Sequence, residues 1–147
     1  MIQLDSPKKV DFYRKFIYPN DKLRMVYYFG ISLALIACWS LVYATGGTHL
    51  AYLHLFYFPV IVAGFIFGLP GGLVVGFISG LMLGPIMPSE IINDVPQPLT
   101  SWLSRLAFFT SVGMVSGFSS VVFKSFLEAS LKRFKTDPVT GLPTLMA

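Results

Sequence analysis

Long apolar runs alternate with short polar breaks along this chain. Residues 25–45 carry no charged side chain, and a 21-residue run is long enough to cross ~30 Å of hydrocarbon. Tyr27 and Tyr28 stand at one end of this run and Tyr43 at the other, as interfacial aromatics do. After Thr45-Gly46-Gly47-Thr48, residues 50–68 form a second run, aromatic at its start (Tyr52, Phe56, Tyr57, Phe58) and aliphatic beyond. Pro59 inside it is expected to kink the helix or start it afresh. Leu69-Pro70-Gly71-Gly72 is read as an uncharged tight turn into a third run that Pro85 and Pro88 stop. Residues 89–100, SEIINDVPQPLT, make the long polar connection. A fourth run covers 101–123. It lacks a breaker at its end, so it is expected to continue as one helix to residue 135.

The third run, LPGGLVVGFISGLMLGPIMP, places Gly72, Gly76, Gly80 and Gly84 four residues apart, on one stripe of a helix. In water each interior glycine costs up to ~1 kcal/mol against alanine. In a bilayer the backbone bonds stay within the helix, and a stripe without side chains lets another helix approach closely. Gly113 and Gly117, with Ser116 and Ser120 beside them, repeat the spacing on the fourth run and offer the matching face. Two readings fit the stripe: a packing groove, or the wall of a ligand cavity, because glycine also admits a ligand to the backbone.

The pattern therefore predicts an all-α, polytopic membrane bundle of four transmembrane helices. An N-terminal interfacial helix precedes it: in residues 11–17, DFYRKFI, Phe12, Phe16 and Ile17 oppose Arg14 and Lys15. Composition agrees: the chain of 147 residues is 54 % hydrophobic and 12 % charged, against roughly 25 % charged in soluble domains. Its mean hydropathy is +0.69. The net charge of +4 is gathered at the ends: six basic residues precede Met25, four follow Phe123, and Arg105 lies between. Such flanking clusters suit an anionic leaflet and not nucleic acid. An even number of spans with both ends basic puts both termini in the cytoplasm and the Glu90/Asp94 loop and His49 outside. No cleavable signal peptide is visible before residue 25. The lone Cys38 excludes an internal disulfide.

Four segments follow: 1–24 as a cytoplasmic interfacial segment, 25–123 as the transmembrane domain, 124–136 as an amphipathic cytoplasmic helix, and 137–147 as a tail. The tail begins Asp137-Pro-Val-Thr-Gly-Leu-Pro, a local helix stop. With Thr136 before it, this segment resembles the opening of the GGDEF domain of diguanylate cyclases, D-x-L-T-G-L-x-N-R. Asp137, Thr140, Gly141 and Leu142 match; Val139 stands for the usual leucine, and Thr144 and Leu145 for the usual Asn-Arg. The resemblance covers about ten residues. It implies the membrane portion of a longer bacterial inner-membrane protein, cut just inside a cyclase domain. That whole protein would make cyclic di-GMP from two GTP with Mg²⁺, as a homodimer. The family's catalytic segment, metal carboxylates and GTP-binding residues would lie past Ala147, so no catalytic residue and no cofactor is expected in this chain. The stretch FYFPVIVAGFIFGLPGGLVVGFISGLMLGP is also similar to the proline-plus-glycine helix pairs of bacterial multi-helix sensor domains and of the substrate-binding components of energy-coupling-factor transporters.

Candidate chemistry is sparse. Arg105 lies four positions into the fourth run, where a charge is costly. Either it snorkels to the outer headgroups, or it faces an outward cavity and binds an anionic or carbonyl-bearing ligand, or it pairs with Glu90 or Asp94. His54 is either satisfied between helices or hydrogen-bonded to a ligand. His49 and His54 lie ~140° apart around a helix, a poor arrangement for one metal. Tyr57 and Trp102 belong to an aromatic group near the outer half, either as interfacial anchors or as pocket walls. The ligand set expected from sequence is thus His54, Tyr57, Glu90, Asp94, Trp102 and Arg105, around an unidentified small molecule, with no metal. No nucleophile–base pair or phosphate loop is visible. Three functions fit these features: a sensory input domain regulating a cyclase, a small-molecule transport component, or a passive anchor that dimerises its cargo.

Overall fold

The computed structural model describes residues 20–48, 51–91 and 96–134, with side chains to residue 129. The interfacial helix expected at 11–17, His49, Asp94 and the tail from 137 lie outside the described residues. Those described are helical almost throughout, with no strand among them: α1 (Asp21–Ala44), a 3₁₀ segment (Ala51–Phe56), α2 (Tyr57–Met82) and α3 (Leu99–Phe134). Three stretches are long and apolar enough to cross a membrane, Asp21–Ala44, Ala51–Met82 and Leu99–Ala129, which fits a membrane protein.

The second and third runs of the sequence are the two limbs of α2. Its backbone leaves the helical region at Gly68 (φ 74°, ψ −158°), a conformation essentially reserved for glycine. There the chain doubles back. A Cβ built on Gly72 would lie 3.1 Å from the Cα of Gly64, whereas eight residues of straight helix span ~12 Å. The turn expected over residues 69–72 is thus concentrated in one residue. Pro70 falls in the first turn of the second limb, where a missing N–H costs nothing. Pro59 likewise sits in the first turn of α2, just past the 3₁₀ segment, so it starts the helix afresh. The second limb ends at Met82, six residues before Pro88, and Leu83 to Ile86 form a turn.

Both limbs lie on α3. The first runs parallel to it: the Ser116 hydroxyl donates to Ile61 O at 2.8 Å, and the Ser120 hydroxyl donates to Phe65 O. The second limb runs antiparallel, with the glycine stripe facing α3. Gly72 meets Gly113 backbone to backbone; Gly76 abuts Phe109 and Thr110, Gly80 abuts Leu106, and Gly84, past the helix end, sits against Trp102. Gly117 in turn abuts Leu69 and Gly68. A Cβ at Gly72 would collide with the Gly113 carbonyl and the reverse holds as well, so each Cα–H faces the other's oxygen. Such contacts contribute about 0.5–1 kcal/mol each. Between helices in lipid, where burial of apolar area gives no driving force, close backbone packing of this kind holds the pair together.

α1 is the outlying helix. It runs antiparallel to the first limb: Tyr28 stacks on Phe67 with ring centroids 4.3 Å apart, and Cys38 Sγ lies 3.8 Å from Leu55 O. It buries Ile31, Leu35 and Val42 and leaves Met25, Phe29, Leu33 and Ile36 exposed, as a helix bathed in lipid would. α1 therefore starts, and α3 ends, on the Gly68 side of the bundle.

Candidate functional site

At the far end of the bundle from Gly68, three connections meet: the turn after α1, the turn after α2, and the strap leading into α3. Gly46 and Gly47 both have positive φ, 109° and 116°, so the α1 turn uses backbone that other residues adopt poorly. Gly47 also lies under the Ser89 carbonyl, where a Cβ would come within 2.6 Å of the oxygen, and Ile91 N donates to Gly46 O at 3.0 Å. These contacts hold Glu90, half-buried, across the α1 turn.

Gln97 sits between Pro96 and Pro98, on backbone that the two rings stiffen. Its amide nitrogen lies 2.7 Å from Thr48 Oγ1, 2.8 Å from Met87 O and 3.1 Å from Leu83 O. Its amide oxygen accepts from Arg105 Nη1 at 3.0 Å, and Arg105 Nη2 donates to Thr48 O at 3.3 Å. Thr48, Leu83 and Met87 are buried. One glutamine thus supplies donors to two turns and an acceptor to a helix. No buried polar side-chain atom among the described residues lacks a partner.

Two of the five N–H groups of Arg105 rest on protein acceptors, so the arginine ties α3 to the α1 turn through Gln97 and Thr48. Neither Gln97 nor Thr48 was expected from sequence. The available signal was an amide held between two prolines, eight residues before an arginine inside an apolar run. Trp102, one turn before Arg105, packs on Gly84 and with Gln97, Met87 and Pro96 lines an open cleft of about 630 Å³.

Of the other expected ligand residues, Glu90 lies across the neighbouring α1 turn, while His54 and Tyr57 take partners outside this knot. His54 is exposed and stacks on Tyr57 with centroids 5.7 Å apart; Tyr57 packs on Phe109 at 4.8 Å. Phe109 is one turn along α3 from Arg105, so the two groups adjoin on that helix while taking different partners. Among the described residues no three histidine, cysteine or acidic side chains gather to hold a metal. What this end offers chemically is the Gln97 amide on a partly apolar cleft, with the Arg105 guanidinium bonded to its oxygen. Compared with protein-family models, with curated proteins and with solved structures, the chain matches none.

Proposed function

We propose that this chain is the membrane input region of a diguanylate cyclase of the bacterial inner membrane. In this reading it makes four passes with both termini cytoplasmic, the two limbs of α2 counting as separate passes. The 3₁₀ segment and the first limb together reach ~28 Å, and the second limb and its following turn are of similar order. A small ligand or a membrane property at the outer end changes how α3 is held there. α3 carries that change inward to paired cyclase domains whose first residues are 137–147, and those domains would use GTP and Mg²⁺.

The observation that carries the reading is the continuity of α3. Its 36 residues give ~54 Å of unbroken helix, well beyond ~30 Å of hydrocarbon. It is tethered at Arg105 to the outer connections and at Ser120 and Lys124 to the inner end of the first limb. A rod gripped at both ends transmits a shift or rotation between them.

The test is cyclic di-GMP output from the longer protein in membranes. Arg105→Ala should blunt the response to stimulus while expression holds, and Gly80→Leu should lock output at one level or unfold the bundle. Equal output from wild type and both variants under every stimulus removes the signalling claim. Unchanged regulation after replacing residues 25–123 with an unrelated bundle would leave only an anchor. Saturable uptake by residues 1–123 alone would make the chain a transport component. Reporter fusions after residues 89 and 134 should report opposite sides of the membrane; the same side for both would remove the proposed topology.

A further inference from the structure

Between α1 and the second limb of α2 lies a cleft of about 610 Å³ that the outer site does not use. It runs from Arg24 and Tyr28 at the Gly68 end to Leu35 and Ile78 deeper in, with Phe67 and Val74 on its walls. Along the second limb it covers ~12 Å, from Pro70 to Ile78. Val74, Ile78 and Tyr28 are exposed, so the cleft opens sideways from the bundle. The α1 wall carries a guanidinium at one end, then a phenol and the Ser32 hydroxyl beside Ile31 and Leu35, while Val74, Val75 and Ile78 make the facing α2 wall aliphatic. α1 packs on the bundle at the Tyr28–Phe67 stack, at the Cys38–Leu55 contact and through Ile31 and Leu35 between them, and the cleft opens beside that seam, toward the second limb.

All of this lies on helices long and apolar enough to be in a bilayer, where a lateral gap is bathed by lipid and not by water. Arg24 is placed at the end of an apolar slot, one turn inside the start of α1, among the basic residues expected at the anionic inner leaflet. Asp21, one turn earlier on the same helix, carries a carboxylate that competes for the guanidinium from the aqueous side. We propose that the cleft holds one acyl chain of an anionic phospholipid, with Arg24 on its phosphate. A planar guanidinium takes a phosphate by paired N–H bonds, and the aliphatic wall takes the chain. This rests on the membrane reading and on neither the cyclase nor the sensing role.

The test uses the chain reconstituted in nanodiscs of equal phosphatidylglycerol and phosphatidylcholine, then released for native mass spectrometry. Both lipids carry a phosphate, but the trimethylammonium of phosphatidylcholine offsets it, so wild type should retain the net-anionic phosphatidylglycerol by roughly tenfold, the scale of one charge-assisted contact. Arg24→Gln should still retain lipid with the preference falling toward parity, and Arg24→Lys should keep most of it. Val74→Trp, which fills the slot, should retain less of either lipid, with circular dichroism checking that the helices persist. Undiminished preference in Arg24→Gln, retention by a folded Val74→Trp equal to wild type, or parity between lipids in wild type would each overturn the proposal. Because Arg24→Gln alters an exposed side chain, its result stands even if Val74→Trp fails to fold.

Discussion

The ammonium of Lys124 donates to the carbonyl oxygen of Ile66 at 3.1 Å, across 58 residues of sequence. That carbonyl is left over because the residue four positions on is Pro70, which has no N–H, and because the helix breaks at Gly68. Ser120 does the same for Phe65 O, whose helical donor is lost at the break. α3 thus caps the C-terminal end of the first limb with a hydroxyl and a cation, the charge sign a helix C-terminus favours. Lys124→Met keeps the stem and removes the donor, leaving an oxygen beside the buried Ile66 unpaired; a loss of about 1–3 kcal/mol is expected. Thermal unfolding in detergent should show a lowered midpoint for Lys124→Met and most of it restored in Lys124→Arg.

Gly68→Ala should destabilise through backbone strain alone. The nearest atom to a Cβ there is Val121 Cγ2 at 4.0 Å, so space is ample, yet φ 74° with ψ −158° suits no other residue. A cost of about 1–3 kcal/mol follows. An unchanged unfolding midpoint would mean the reversal is not built on this conformation.

Glycines on the α3 side and on the lipid side should respond oppositely. Gly72→Ala drives a methyl into the Gly113 backbone, where no flexible side chain can yield, and should cost about 1–3 kcal/mol or more. Gly30→Ala meets nothing within 4 Å on an exposed helical face and should be neutral or stabilising by up to ~1 kcal/mol. Parallel melts of the two variants check this; equal destabilisation would contradict the packing described.

Gln97→Glu offers Arg105 a full negative charge and should still weaken the end of the bundle far from Gly68. The substitution deletes the N–H groups that lie near Thr48 Oγ1, Met87 O and Leu83 O, and leaves a half-buried carboxylate against two carbonyl oxygens. The lost donors are worth about 1–3 kcal/mol, against a modest gain from the ion pair. Hydrogen exchange should speed up in residues 45–48 and 83–88. Protection equal to wild type would show that the amide is dispensable.

Much of the frame was legible in the sequence. Long apolar runs marked α1 and α3, and both ends of α1 and the start of α3 fall within a few residues of the expected positions, because length and scarcity of charge are local properties. The four-residue glycine spacing also reads directly as one helical face, and Gly72, Gly76 and Gly80 do share a face against α3. What the sequence did not reveal was which partner each polar side chain takes. For Arg105 the sequence offered a ligand, a lipid headgroup or an acid, and did not point to the amide oxygen and the carbonyl that two of its N–H groups meet.

The sequence by itself determined where helices run and which faces are bare, since side-chain spacing and turn residues act within a few positions. Only the tertiary structure decided that the reversal narrows to Gly68, that Lys124 and Ser120 cap the limb it ends, and that Gln97 joins three connections. Those bonds span from 8 to 58 residues, and each exists because packing strands a polar group that must then find whichever donor or acceptor the fold brings near.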